Sequence, residues 1–249
     1  MPDSWSTYNF LDFVDVNPTV SLKSGCSYSF VEMKDLSNDK KFVCPSTMRK
    51  LTGGARFQEK DTLFARITPC LENGKICQVK SLQNNIGFGS TEFLVFRGKE
   101  NISDSDFVFY LSRYPIVRKF AEQNMIGTSG RQRVAKDAFA NLELELPSLP
   151  IQQRIASILG VLDDKIENNL AMNHTLEQMA MAYFNEYCTS KNGELPDDWI
   201  EMKVGDLVET VSLTYNFKNK AKVIFLNTSD ILDGFVLHEN YSEIKGLPG

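Results

Sequence analysis

The sequence predicts an α/β fold: a mixed-sheet domain, a long coiled-coil-forming helix, and a partial second copy of the domain. Three observations carry that prediction. Short strand, turn and helix patterns fill residues 1–147, a heptad-like run extends from Ile151 to about Tyr187, and the opening of the chain is echoed 194 residues later. The expected segments are residues 1–147, 148–190 and 191–249.

In the first segment Phe10, Phe13 and Val14 recur at i, i+3 and i+4, the spacing of a helical turn. Tyr28 to Met33 reads as a strand. Asp61 to Ile67 sets Leu63, Ala65 and Ile67 on one face, the period-2 pattern of a half-buried strand. Glu72-Asn73-Gly74-Lys75 is a turn with Ile76 to Val79 as its returning strand, and Gly87-Phe88-Gly89 precedes a β-rich run from Ser90 to Arg97. Ser103 and Asp106 approximate a capping box, opening a helix whose buried stripe is Phe107, Tyr110, Leu111 and Tyr114. Pro115 ends that helix or starts another. Gly127-Thr128-Ser129-Gly130 is a flexible break before Arg131-Gln132-Arg133. Leu142, Leu144 and Leu146 then alternate with Glu143 and Glu145 as a one-face strand.

The long helix follows directly. With Ile151 at d, the a and d positions are Ile151, Ile155, Ile158, Leu162, Lys165, Asn169, Met172, Leu176, Met179, Tyr183 and Glu186, of which eight are apolar. Pro150 suits a first helical turn, where its missing N–H costs nothing. At 1.5 Å per residue the rod is roughly 55 Å long, too long to hide in one small domain. It is a spacer or a docking arm. Lys165 and Asn169 interrupt the seam halfway; they either fix register and orientation or form a solvated kink. Lys191-Asn192-Gly193 and Pro196 mark a linker after the rod.

The repeat rests on order and spacing. Pro2-Asp3-Ser4-Trp5 recurs as Pro196-Asp197-Asp198-Trp199, and Asp12-Phe13-Val14 meets Asp206-Leu207-Val208. After a one-residue shift, Phe30, Asp35 and Leu36 meet Phe225, Asp230 and Ile231, so Gly249 stands where Gly54 stands in the first copy. The alternative is coincidence between two β-rich openings.

No run of 18 apolar residues is present and the first residues lack the regions of a signal peptide, so no membrane partner is expected. Five cysteines without a CxxC pair favour a reduced, cytoplasmic protein over a disulfide framework or zinc site. The net charge of −5 conceals a partition. Arg113 to Lys136 carries +5, Arg49 to Lys75 carries +3, and the helix from 151 to 187 carries −3. Nucleic-acid contact is therefore expected from the loops, and protein contact from the helix.

Candidate DNA-contact residues are Arg131, Gln132, Arg133, Lys136, Arg66 and Lys75. Arginine suits bidentate contact to guanine and glutamine to adenine, while the lysines and Arg66 suit phosphates. Arg118 and Lys119 fit a solvated helix face, and Gly53-Gly54 an ordinary turn. Candidate dimerisation and docking residues are Ile151, Ile155, Ile158, Leu162, Leu176, Met179 and Tyr183. Pro2-Asp3 with Glu32-Met33-Lys34 formally matches a PD…ExK nuclease pattern, but the repeat places Asn227-Thr228-Ser229 opposite Glu-Met-Lys. His174 and His238 lack any ligand constellation, and no phosphate-cradling loop followed by Lys-Ser/Thr occurs. Neither catalysis nor a bound cofactor or metal is expected on this chain.

Three stretches carry a family resemblance. They are Asp61-Thr62-Leu63-Phe64-Ala65-Arg66-Ile67-Thr68-Pro69, continuing through Asn73-Gly74-Lys75 to Gly87-Phe88-Gly89-Ser90-Thr91-Glu92-Phe93; Gly127 to Val134 with Lys136-Asp137-Ala138-Phe139; and Leu146-Pro147-Ser148-Leu149-Pro150-Ile151-Gln152-Gln153-Arg154-Ile155. Together they resemble the specificity subunit of type I restriction–modification systems, in truncated or half-length form. The resemblance implies a target-recognition domain over 1–147, a conserved spacer helix over 148–190, and an incomplete second target-recognition domain over 191–249.

It also implies a non-catalytic subunit that reads double-stranded DNA and directs adenine methylation and restriction by partner subunits. S-adenosylmethionine would belong to the modification subunits, and ATP with Mg to the restriction subunit. The spacer helix would dock the modification subunits, or pair with a second copy or another specificity chain. Two rivals remain: an assembly protein that binds modification subunits without recognising DNA, and the metal-dependent nuclease.

Overall fold

The computed structural model describes residues 5–128, 130–188, 199–211, 222–224, 226, 231–232, 235–236 and 241–243. Several expected features lie outside them: Pro2-Asp3-Ser4, Ser129, the linker from Lys191, Pro196-Asp197-Asp198, Phe225, Asn227 to Asp230, His238 and Gly249. The chain forms two compact units, 1–186 and 187–249.

The first unit opens with β1 (Trp5–Asn9), α1 (Phe10–Phe13), β2 (Val14–Val16), β3 (Ser27–Val31), β4 (Phe42–Val43), β5 (Thr47–Lys50) and β6 (Ala55–Gln58). It continues through β7 (Thr62–Ala65), β8 (Ile76–Val79), β9 (Ile86–Gly89), β10 (Phe93–Gly98), α2 (Ser105–Arg113) and α3 (Pro115–Gln123). It closes with β11 (Met125–Ile126), β12 (Arg133–Val134), β13 (Glu143–Pro147) and α4 (Leu149–Cys188). Two sheets form its body. One runs β2-β10-β7-β8-β4 and the other β5-β3-β9-β6, each antiparallel except for a single parallel pair, β4 with β8 and β3 with β9. The sheets are mixed, as the sequence predicts.

Strand alternation sorts side chains into layers. On β7, Leu63 joins the cluster between the sheets while Phe64 joins the cluster under the helices. On β10, Phe93 and Val95 take the first side and Leu94 and Phe96 the second. The expected half-buried strand is therefore corrected: all four residues of β7 are buried, because helices cover one face and a second sheet the other. Gly87-Phe88-Gly89 likewise belongs to β9 itself and does not merely precede a strand. A Cβ on Gly87 or Gly89 would meet the β3 carbonyls of Ser29 or Val31 at 2.8 and 2.5 Å.

Two further details differ from expectation. The cap of α2 is Asp104, whose carboxylate accepts from the Phe107 N–H at 2.9 Å. Ser103 instead donates to the Phe13 carbonyl at 2.6 Å. Tyr114 is exposed because the chain leaves the helix there, and Pro115 starts α3. Phe107 and Leu111 are buried as expected, with Tyr110 packed at the core's edge.

The root of α4 is built into this unit. β13 pairs antiparallel with β1, then the chain turns at Ser148, whose carbonyl accepts from the Ile151 and Gln152 N–H groups. Gln152 is buried at 1% exposure and fully engaged. Its amide donates to the carbonyls of Ile102 (3.0 Å) and Pro147 (2.9 Å), and its carbonyl accepts from the Asp104 N–H (3.0 Å). Ala156 is buried and Ile155 packs against the core; two turns further on, Tyr110 donates to Asp163 at 2.5 Å. Beyond that residue nearly every α4 side chain is exposed. The helix spans 40 residues, about 60 Å.

In the second unit α5 spans Val204–Leu207, β14 (Lys222–Ile224) pairs antiparallel with β17 (Tyr241–Glu243), and β15 (Ile231–Leu232) pairs with β16 (Phe235–Val236). Both ends of α5 lie 194 residues after those of α1, Val204 after Phe10 and Leu207 after Phe13. Each short helix closes alike: the Val14 N–H donates to Phe10 and the Val208 N–H to Val204. β14 begins 195 residues after β3 begins, the one-residue shift read from the sequence. The repeat thus extends from residue types to local structure.

Candidate nucleic-acid interface

The basic turn before β12 is held by its backbone. Gly127 and Gly130 adopt positive φ, +136° and +78°, and a Cβ on Gly127 would sit 2.9 Å from the Arg131 carbonyl. The Arg131 N–H donates to Thr128, and Thr68 brackets the next residue with two bonds. Its N–H donates to the Gln132 carbonyl, and its hydroxyl accepts from the Gln132 N–H, both at 3.1 Å. Arg133 forms an isolated bridge with Ile67, and the Val134 N–H donates to the Arg66 carbonyl. Residues 66–68 and 132–134, far apart in sequence, are therefore laced together.

This brings Arg66, Gln132 and Arg133 to one place, with Arg131 exposed at the turn beside them. Glu92 joins them, and the charge pattern did not single it out. Arg133 grips its carboxylate through Nε (3.0 and 2.9 Å) and Nη2 (2.8 Å). That guanidinium holds Glu92 below the usual carboxylate range and is itself held more firmly protonated. Arg133 is thus a brace for the turn, whereas Arg131 makes no ion pair among the described residues and presents its charge outward.

The two lysines stand apart from that cluster. Lys75 lies next to Ala65 through its backbone, but its ammonium donates to the Met33 carbonyl at 3.0 Å. Lys136 is exposed and opens a short 3-10 helix, Lys136–Asn141. Arg118 donates to the Glu72 carbonyl and pairs with Glu122. A cleft of about 410 Å³ opens beside Arg66, with Arg56, Asn17, Thr19 and Thr91 among its lining. Arg56 falls in the basic stretch from 49 to 75 but carries no motif of its own. Gly54, at the same cleft, has φ +108°, and a Cβ there would fall 1.9 Å from the Gly89 carbonyl, so this turn requires glycine.

The docking candidates divide. Ile151 and Ile155 are half-buried against the first unit, while Ile158, Leu162, Leu176, Met179 and Tyr183 are exposed on the helix. His174 is also exposed and bonds to Gln178 at 3.0 Å. Of the nuclease pattern, Asp3 is outside the described residues and the Glu32 carboxylate is taken up by Lys34 and Arg49. Among the described residues, no group of three side chains is placed to hold a metal ion, and no helix is long and apolar enough to cross a membrane.

Residues 2–178 match the type I restriction modification DNA specificity domain. The chain belongs to that family. The matched region takes in the basic turn, the arginine cleft and most of the long helix. Similar proteins include the EcoAI specificity subunit of Escherichia coli, 26% identical over 209 residues, covering 80% of this chain and 36% of that protein. The HindI specificity subunit of Haemophilus influenzae is 32% identical over 162 residues, covering 64% of this chain and 35% of that protein. The chain thus spans about a third of the length of these relatives. In fold it is similar to the HsdS subunit from Thermoanaerobacter tengcongensis, with a TM-score of 0.50, 19% identity, and coverage of 94% of this chain and 63% of that one.

Proposed function

We propose that this chain is a DNA-recognition subunit, or part of one, in a type I restriction–modification complex, without catalysis of its own. The observation that carries the reading is the exposed Arg131 turn, braced by Arg133 and Glu92, within the region that matches the specificity domain. A protruding arginine on a fixed turn suits a DNA groove, since base readout needs a rigid platform for the reaching side chain. The exposed apolar face of α4 then supplies the protein contact. It docks modification subunits, which would bring S-adenosylmethionine and methylate adenine, or pairs with a second copy or another specificity chain. The restriction subunit, with ATP and Mg, joins through the assembled complex.

The assembly-only reading is supported by one observation: Arg133, a prime base-contact candidate, is already consumed by Glu92. A gel-shift series with methylated and unmethylated DNA fragments separates the two. Binding that weakens steeply with salt while keeping sequence preference supports the reader. No DNA binding, even with modification subunits added, leaves assembly alone. Methylome sequencing of cells expressing the chain with its partners then gives the recognised site.

A further inference from the structure

We infer that the cleft between Arg56 and Arg66 is a seat for a backbone phosphodiester of the bound DNA. The inference rests on the DNA-reading function proposed above and assigns it a second contact site, separate from the Arg131 turn. Arg66 is half-buried, and its Nε is shielded from solvent yet has no hydrogen-bond partner. A buried guanidinium donor without an acceptor is costly unless a ligand supplies one. The nearest obvious acceptor is unavailable, because Arg133 holds the Glu92 carboxylate with three contacts. Among the described residues Arg66 makes no ion pair; its charge acts on Glu92 from a distance, and its Nε is left without an acceptor beside the cleft.

The rest of the lining has the same sign. Arg56 is exposed and makes no ion pair among the described residues, and its guanidinium donates only a long bond, 3.4 Å, to the Val20 carbonyl. The Asn17 side-chain oxygen accepts from the Val95 N–H at 2.9 Å, which leaves its NH2 group as a donor. Thr19 and Thr91 add hydroxyls, and no carboxylate lines the cleft. The cleft at the root of α4 contrasts with it: there Lys41, Lys60 and Lys80 are mixed with Asp104, Asp106 and Asp164. Two arginines, hydroxyl donors and no acid select an anion with several oxygens, which is phosphate chemistry. A phosphodiester is favoured over a free phosphate by continuity. Arg66 is bonded through its carbonyl to Val134 and through its N–H to Glu92, so one strand can pass from cleft to turn.

The test is DNA binding by the full chain, with modification subunits present, across a sodium chloride series. Arg56→Gln and Arg66→Gln should each lower the slope of log affinity against log salt, by about 0.9 for a lost phosphate contact, with sequence preference unchanged. Arg66→Lys should keep most of the slope and lose affinity, since charge remains but the planar fork does not. Arg56 is exposed, so its variant is expected to fold even if the Arg66 variants do not. Unchanged slopes, in variants whose melting matches wild type, overturn the cleft assignment while wild-type binding upholds the DNA reading. Changed base preference overturns it too, because the cleft would then read bases. Competition by inorganic phosphate at fixed ionic strength, with slopes unchanged, assigns the cleft to a free anion and also overturns it. Failure of the wild type to bind DNA overturns both proposals.

Discussion

Arg133 holds Glu92 by a bidentate pair, with Nε at 2.9 Å from one carboxylate oxygen and Nη2 at 2.8 Å from the other. The pair joins the basic turn to the segment before β10, and Arg131 next to it is left to face outward. Two arginines separated by one residue thus have different work, one structural and one available for contact.

The first prediction uses that division. Arg131→Ala should weaken DNA binding about tenfold to a hundredfold, the range for loss of one good base contact, with melting unchanged. Glu92→Gln and Arg133→Gln should instead lower the melting temperature together, and the double variant should cost less than the sum of the two. The pair is also acid-sensitive. Glu92 is held below its ordinary value of 4.5, so its stabilisation is present above that pH and lost as pH falls through the depressed folded value. Carboxyl NMR titration of Glu92, with and without Arg133, checks the direction. Equal melting losses for Arg131 and Arg133 variants would refute the division.

A second pair fixes the turn between β6 and β7. Asp61 is buried at 1% exposure, accepts from Arg97 Nε and Nη2 at 2.7 Å each, and accepts from the Gln58 N–H at 2.8 Å. Asp61→Ala strands a guanidinium and a backbone donor, so it should destabilise by about 3 kcal/mol in urea unfolding. Asp61→Ala combined with Arg97→Met should recover part of that loss, because no charge is then left without a partner. A double variant no better than the single one would argue against this account.

Local order was legible in the sequence wherever period and chemistry agreed. The long helix reads from Ile151 to about Tyr187 and spans Leu149–Cys188, because its apolar spacing is helical on both sides of Lys165 and Asn169 and no proline follows Pro150 within it. What the sequence did not give was which face of an element finds cover. β7 alternates like a half-buried strand, yet a second sheet covers its other side, and that pairing depends on residues distant in the chain. The same holds at the interface. Arg131 and Arg133 look equivalent in a basic tripeptide, and only the approach of Glu92, 41 residues away from Arg133, separates their roles. Arg56 and Asn17 belong to no motif and meet Arg66 only through the fold. On α4, Ile155 and Ile158 occupy one heptad seam, but Ile155 faces the core and Ile158 is 60% exposed, because the first turns pack on the domain.

A third prediction concerns Cys77. Its thiol is buried in the cluster between the sheets, donates to the Ser37 carbonyl at 3.2 Å, and is pushed up to about 11 by burial. The neutral thiol is the folded form, so between its ordinary value of 9.0 and about 11 the unfolded chain loses the proton first. Stability should therefore decline as pH rises through that window, and Cys77→Ser or Cys77→Ala should flatten this part of the profile. Iodoacetamide at pH 8 should label the exposed Cys26 and Cys44 and spare Cys77 in the folded chain. Mass spectrometry of the labelled peptides reads the order. Rapid labelling of Cys77 under native conditions would contradict the burial argument.

The last prediction separates the root of α4 from its arm. Ile155 packs against the core beside the buried Ala156, so Ile155→Ala should destabilise the first unit by about 2 kcal/mol. Leu176 and Met179 are 55% and 49% exposed, so Leu176→Asp and Met179→Asp should leave melting of that unit unchanged. The arm variants should act on association instead. Each leucine-sized group removed from an apolar helix seam costs at least about 1.4 kcal/mol, a tenfold change in affinity. Sedimentation velocity, with the chain alone and with modification subunits, measures that loss, while thermal melting tracks the fold. Should both arm variants associate normally, contact would have to come from another face of α4. Should they melt early, the arm would be part of the core.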